Sequence, residues 1–308
     1  MLKHAQKLIL AFAIFVFGAV PALAQNNPSV SLNSFLQYPT YPNGSIAIQP
    51  TDLAFAPASL NAKVVIRRAG GGKVAEHRFY EDYRMKAQVF GRMMPAQSPV
   101  EQLAPGDYVI EYYVSGKLVT AIPFSVQQAS TSNDPFNPGS TYRFTGPWQK
   151  WAYLAPHSGS ANAAASIYFW GGRQDLPEGS RAGGFTAKAY RNGKLIAHSN
   201  PRTGNLGAKA MHRRNAFFQV PHAANKAHQA RNVTLAELSK PGNYRVDIVL
   251  NDSGKVIRSY SYKAAGGKIT PHPRSELGYQ PQADYVFPRA PDPRSSSYEW
   301  REVHWISG

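Results

Sequence analysis

The stretch LAPGDYVIEYYVSGK, Leu103 to Lys117, returns later in the chain as LSKPGNYRVDIVLNDSGK, Leu238 to Lys255. In the first copy Tyr108, Ile110, Tyr112 and Val114 share one face of a period-two pattern, with Val109, Glu111 and Tyr113 on the other. Tyr244, Val246, Ile248 and Leu250 repeat the first face. Pro105-Gly106 matches Pro241-Gly242, and the aromatic follows the proline by three in both. Gly116-Lys117 matches Gly254-Lys255, where the second connection is two residues longer. Each copy therefore predicts a strand entered through a Pro-Gly turn and left through a Gly turn. The returning strands are LVTAIPFSV, Leu118 to Val126, and VIRSYSYKA, Val256 to Ala264. Pro123 lacks an amide hydrogen and belongs at an edge or a bulge.

Working outward, Gly72-Lys73-Val74 resembles Gly193-Lys194-Leu195. Strands are expected at 45–49, 62–68 and 74–80 before the first copy, and at 164–170, 185–191 and 215–220 before the second. The three glycines of Ala69–Lys73 mark a turn, and Asn192-Gly193 marks a tight hairpin. Glu81 to Met94 fits a helix by composition and a strand or loop by position. The reading is an all-β chain of two related domains, residues 25–128 and 141–265, joined by a polar linker over 129–140. The second is enlarged between Ala197 and Leu238. Residues 266–308 read as an extended Pro-rich tail, with six prolines between Pro271 and Pro293.

A Pro-Gly entrance, an alternating strand, a Gly turn and a return strand resemble the closing hairpin of immunoglobulin-like and fibronectin-like β-sandwich modules of secreted bacterial proteins. The resemblance covers about twenty-five residues in each copy, and the Cys…Trp…Cys framework of true immunoglobulin domains is missing. It implies tandem sandwiches used for binding, adhesion, spacing or assembly, and no chemistry.

The N-terminus carries an export signal. A basic leader with Lys3 and Lys7 precedes a 13-residue apolar run, Leu8 to Val20, and Ala22-x-Ala24 offers a cleavage site before Gln25. The run is shorter than the ~20 residues that span a bilayer, and no later segment reads as a membrane span, so no integral membrane segment is expected after cleavage. The expected location is periplasmic or secreted, in a bacterium. With no cysteine in the chain, disulfides and thiol catalysis are excluded, and the fold relies on its core.

The formal charge is +16, or +14 once Lys3 and Lys7 are removed. Residues 25–128 hold nine Lys/Arg against seven Asp/Glu, residues 141–265 hold eighteen against five, and residues 266–308 hold five of each. The positive field thus belongs to the second domain, where it suits an anionic partner and weakens with salt. Export makes nucleic acid a poor candidate and envelope polysaccharide, lipid headgroups or an acidic protein better ones.

Three groups of side chains stand out. Arg213, Arg214, Lys226 and Arg231 form an anion-binding candidate, because guanidinium forks and ammonium groups suit carboxylate or phosphate. Trp148, Trp151 and Tyr153 could stack on sugar rings, although core or domain-interface packing explains them more simply. Tyr285, Phe287, Tyr298, Trp300 and Trp305 could fasten the tail to a partner or to the chain itself. His212, His222 and His228 lack acidic neighbours and sit among Lys and Arg, so no metal or other cofactor is expected. No nucleophile elbow, P-loop or dinucleotide fingerprint occurs in a supporting context. Glu81-Asp82 and the Asp175/Glu178 loop do not by themselves set two carboxyls across a scissile bond. The expected function is a noncatalytic extracytoplasmic binding protein, its basic second domain contacting an anionic or polysaccharide envelope component. A structural or assembly module binding another protein is the first alternative. A carbohydrate-active or other secreted enzyme is the second.

Overall fold

Alternation along the chain is realised as antiparallel sheet among the described residues of the computed structural model. The structure describes residues 29–31, 36–37, 46–50, 53–56, 62–81, 91–95, 101–114, 116–131, 140–146, 150, 152–157, 162–173, 176, 183–201, 204–207, 212–222, 230–270, 289–291, 300–302, 304–306 and 308. The leader, Trp148, Trp151, Asp175, Glu178, Lys226, His228, Tyr285, Phe287 and Tyr298 lie outside them. The strands begin with β1 (Ser29–Ser31), β2 (Leu36–Gln37), β3 (Ile46–Pro50), β4 (Leu53–Ala56), β5 (Ala62–Arg68), β6 (Lys73–Glu81), β7 (Gly91–Pro95) and β8 (Glu101–Leu103). The repeated hairpin of the first copy is β9 (Gly106–Val114) and β10 (Lys117–Thr131), followed by β11 (Ser140–Thr145), β12 (Ala152–Pro156) and β13 (Ala165–Gly171). Next come β14 (Gly183–Arg191), β15 (Lys194–Ser199), β16 (Asn205–Leu206), β17 (His212–Gln219), β18 (Gly242–Leu250) and β19 (Val256–Ala265). The last are β20 (Lys268–Ile269), β21 (Arg289–Pro291), β22 (Trp300–Glu302) and β23 (His304–Ile306). One 3-10 turn, Glu237–Ser239, leads into β18.

The first sheet has the order β1-β4-β7-β6-β5-β9-β10-β11. Val65, Ile66, Tyr108, Ile110, Ile122, Phe124 and Val126 are buried in it. The segment whose composition fits both helix and strand contains β7, which pairs with β4 and β6. Pro123 is exposed, and β11 pairs with β10 only from Ser125 onward, so the missing amide costs no ladder bond there. The expected linker has a different role. β10 runs to Thr131 and pairs back onto β11, Thr131 opposite Ser140. Residues 132–139 therefore connect two neighbouring strands, and 141–145 belong to the first sheet. Their polar, Pro- and Gly-containing composition suits a hairpin loop as well as it suits a linker.

The second sheet has the order β20-β19-β18-β14-β15-β17-β13-β12-β23, with β16 paired to β14. It consists of two halves. β15-β14-β18-β19-β20 faces β17-β13-β12-β23 across one core, and the halves are joined where His198 and Ser199 pair with Gln219 and Phe218. At the other side Gly308, just past β23, lies against the Tyr260 ring of β19. The sheet thus curls toward closure instead of forming two separate layers. Phe169, Phe185, Ala187, Leu206, Phe218, Val246, Ile248 and Tyr260 fill its interior.

β13 is buried on both faces, Ala165 to Gly171, which explains why its sequence reads as an unbroken apolar run. The tail is anchored at both ends. β20 pairs with β19, and β23 pairs with β12 with Ile306 fully buried. At His304–Ile306 of the expected tail, three residues suffice to add a strand to a sheet edge.

The recurrence extends beyond the quoted hairpin. β5 pairs with β9 so that Arg68 faces Tyr108, and β14 pairs with β18 so that Arg191 faces Tyr244. A bulge falls between Leu118 and Thr120 in one copy, opposite Tyr113 and Tyr112. Its counterpart falls between Val256 and Arg258, opposite Val249 and Ile248. A second pair of bulges interrupts β5–β6 after Ile66 and β14–β15 after Ala189. Bulges are specific irregularities, so two matched pairs argue for one four-stranded plan, β6-β5-β9-β10 and β15-β14-β18-β19, used twice.

Tyr108 Oη donates to the Ala104 carbonyl at 2.7 Å, and Tyr244 Oη to the Lys240 carbonyl at 2.6 Å. Each hydroxyl reaches back four residues over its Pro-Gly turn, where Gly106 and Gly242 have φ of 150° and 155°. Only glycine holds that conformation without strain. The pairing also shifts one sequence match by a residue. Lys73 stands opposite Arg67 and Leu195 opposite Tyr190, so Lys73 corresponds to Leu195, and Gly72 to Lys194. The first turn is one residue longer, which the Gly-Lys similarity conceals.

Candidate functional site

The end of the second sheet that carries its Pro-Gly turn is strongly basic. There the β14–β15 hairpin, the entrance to β18 and the β19–β20 turn meet. Asn192 and Gly193 both have positive φ, 49° and 81°, as a two-residue hairpin turn requires. The Asn192 amide donates to the Asn243 carbonyl at 2.8 Å, and the Asn243 amide donates to Asn192 Oδ1 at 2.9 Å. This reciprocal pair locks the hairpin tip to the start of β18. Asn243 in turn faces Lys263 of β19, and Ala265 faces Lys268 of β20.

Arg191, Lys194, Lys240, Lys263 and Lys268 are therefore held within a few residues of one sheet end. The four lysines are exposed. Arg191 is half-buried against Gly242, whose built Cβ would stand 2.9 Å from Arg191 Cγ. Arg191 and Lys194 share a face with the core residue Tyr244, whereas Lys263 and Lys268 rise from the outer face. The charges bracket the end of the sheet.

The nearest acid along the chain, Glu237, is engaged by Arg231 at 2.9 Å and accepts the Thr234 amide at 2.9 Å. On the outer face, Arg245 lies over the Tyr190 ring at 4.6 Å and bonds Asp247 at 3.1 Å. Asp247 also accepts the Ser259 hydroxyl at 2.7 Å. That carboxylate is therefore occupied by its own neighbours further along the strands and does not neutralise the rim.

The same end of the first copy is different. By the shared pairing, Arg191 corresponds to Arg68, Lys194 to Gly72, Lys240 to Ala104, Asn243 to Asp107 and Lys263 to Ser125. Asp107 accepts a hydrogen bond from Ser125 Oγ at 2.5 Å. Across these five positions the first copy carries one cation and one acid, and the second carries four cations and no acid. Lys73, beside Gly72, is drawn to Glu76 at 3.3 Å. Gly72, Ala104 and Asp107 are exposed like Lys194, Lys240 and Asn243, whereas Arg191 is more buried than Arg68 and Lys263 more exposed than Ser125; the strand pairing is the same in both copies.

Of the four residues proposed from sequence, Lys226 lies outside the described residues, and Arg213, Arg214 and Arg231 are not gathered in this way. Arg213 and Arg214 are neighbours in β17, paired in register with Trp170 and Phe169 respectively. Arg214 faces the core side. Its Nε is buried without an acceptor, and burial pushes its guanidinium below the ordinary pKa. Arg231 lies beyond the far end of β17, its carbonyl accepting the Val220 amide at 2.8 Å. Six residues of strand separate Arg214 from Val220, roughly 20 Å. Arg231 is near the rim but already paired with Glu237.

The aromatic candidates also change meaning. Tyr153 is 1% exposed and stacks on Tyr168, ring centroids 4.7 Å apart, with Trp305 at 5.2 Å. It is corrected from a sugar-facing residue to a packed one. Trp305 of the tail meets its own sheet, and Trp300 lies in β22 opposite Pro291. His212 and His222 separate as well. His212 faces Gly171 at one end of β17, and His222 packs on His198 at 4.6 Å past the other. The His222 amide donates to His198 Nε2 at 3.1 Å. Among the described residues no group of three His, Asp or Glu side chains is placed to hold a metal.

Charge clustering along the sequence points to 213–231, whereas the rim unites residues as distant as Arg191 and Lys268. The signal lies in the repeat itself. Aligning Tyr108 with Tyr244 sets Ala104 against Lys240 and Asp107 against Asn243. Comparison with protein-family models, with curated proteins and with solved structures gives no significant match, so the geometry and the internal duplication carry the functional argument.

Proposed function

We propose that the protein is a noncatalytic, extracytoplasmic binding protein that contacts an anionic component of the cell envelope through the basic end of its second sheet. The observation that supports this most is the contrast between the copies: four cations and no acid at five positions, against one cation and one acid. A scaffold kept constant while one end gains charge is what electrostatic recognition requires. Exposed lysines supply long-range attraction at little folding cost, and the half-buried Arg191 gives one fixed donor fork. The Ala22-x-Ala24 cleavage signal supports export to the periplasm or beyond. The two tyrosine corners and their closing hairpins support the immunoglobulin-like reading of each copy.

Retention on dextran-sulfate resin tests the proposal. Replacing Lys194, Lys240, Lys263 and Lys268 by Gln should move elution from high salt to near-physiological salt. Lys255→Gln, at the opposite end of β19, should leave it unchanged. Equal elution of all three proteins refutes the assignment.

A further inference from the structure

We infer that the basic end takes a linear acidic polysaccharide laid across the strand ends, about five charged sugars at a time. This deepens the anion-binding reading and rests on it. The strand order β15-β14-β18-β19-β20 places Lys194, Arg191, Lys240, Lys263 and Lys268 on five successive strands or at their entrances. Neighbouring strands lie about 4.8 Å apart, so five of them spread the cations along roughly 19 Å, one per strand, with Arg191 and Lys194 on the core-side face and Lys263 and Lys268 on the outer one. A sugar chain bearing one carboxylate per residue offers anions at a similar interval. A single small anion would engage only one or two of these groups.

Two features favour a chain over a membrane surface. Near this end only Leu195 is an exposed large apolar side chain among the described residues, at 37%. One leucine is too little to insert into a bilayer. The Tyr190 ring, next to Arg191, is covered on one face by Arg245 at 4.6 Å, so it too offers a bilayer little apolar surface. Four of the five cations are lysines, which act as mobile point charges. Recognition should therefore depend on charge spacing and chain length more than on the geometry of any one carboxylate.

The test is calorimetric titration of the protein, without its leader, with galacturonate oligomers of one to eight residues at low salt. Affinity should be undetectable for the monomer, rise with each added residue, and level off near five. The slope of log K against log salt should approach −3.5 for the longer oligomers, about 0.7 per contacted charge as for single-stranded polyanions. It should fall in steps as Lys194, Lys240, Lys263 and Lys268 are changed to Gln. Affinity that keeps rising to eight residues, or equal binding of dimer and octamer, overturns the inference and leaves the anion-binding reading standing. Tighter binding to anionic phospholipid vesicles or to polyphosphate than to the octamer also overturns it. Failure to bind any of these polyanions removes the underlying reading as well.

Discussion

The two Pro-Gly corners perform the same structural task and differ in what surrounds them. In the first, Asp107 and Ser125 close on each other and Arg68 lies over the Tyr108 ring at 5.5 Å. In the second, Asn192 and Asn243 exchange hydrogen bonds, Arg191 presses on Gly242, and lysines stand outside. The tyrosine hydroxyl keeps its bond to the carbonyl four residues upstream in both. The corner is thus the part that folding demands. The groups around it were free to change, and that freedom is where recognition could be built.

The largest difference should appear on filling the corner glycines. Gly106→Ala meets the strain of φ near 150° but only ordinary contacts, the closest 3.6 Å from Arg68 Nη1. Gly242→Ala meets the same strain and also forces its Cβ to 2.9 Å from Arg191 Cγ and 3.2 Å from Asn192 Oδ1. The expected losses are about 2 kcal/mol for the first and about 3 kcal/mol for the second. Amide hydrogen exchange along β9 and β18 measures each copy separately. Equal losses would mean that the two corners are not distinguished by packing, and would weaken the view that Arg191 is fixed in place.

The same contrast separates what a sequence displays from what it hides. Alternating runs mark β5, β9, β14 and β18, and an unbroken apolar run marks β13, almost to the residue, because one or both faces are apolar over seven residues or more. β23 gives no such signal: three residues, His304–Ile306, carry no periodicity, and only an available sheet edge makes them a strand. β11 falls to the wrong unit for a related reason, since Ser140–Thr145 is polar enough to follow a linker and only its pairing places it. The rim is partly legible, through the repeat. Lys263 and Lys268 cannot be joined to Arg191 from sequence, because strand order, not chain distance, makes them neighbours.

A graft tests whether charge at this corner is sufficient. Ala104→Lys, Asp107→Asn and Ser125→Lys together would give the first copy the second copy's groups at three equivalent positions. Placed in a protein whose own rim lysines are Gln, they should restore about tenfold of the lost polyanion affinity, since they raise the local charge by three. The broken Asp107–Ser125 bond should cost about 1 kcal/mol. Restored retention on dextran sulfate, with the salt dependence of the native rim, would make the two copies interchangeable scaffolds. No recovery would mean that Arg191, Lys268 and the Asn192–Asn243 lock are needed too.

The smallest effect concerns the turn that delivers Lys240 to the rim, at a place where the first copy has strand β8, Glu101–Leu103, instead of a 3-10 turn. Thr234 and Glu237 form a reciprocal cap. The Thr234 amide donates to Glu237 Oε2 at 2.9 Å, and the Glu237 amide donates to Thr234 Oγ1 at 3.3 Å. Burial pushes the Glu237 carboxyl up, but the Thr234 amide and the Arg231 guanidinium together outweigh it and hold the group below its ordinary 4.5. The folded state therefore favours the charged carboxylate. Its contribution is complete above pH 4.5 and is lost as the pH falls through the lower folded value. Glu237→Gln should cost about 0.5 to 1 kcal/mol at neutral pH, an ordinary cap loss, and the two proteins should converge once the pH has fallen through the folded value of the carboxyl. The same change leaves Arg231, with its side chain 64% exposed, without its carboxylate partner and adds one cation beside the rim. Stability should thus fall slightly while polyanion retention rises slightly, a pair of opposite signs that loss of folding alone would not produce.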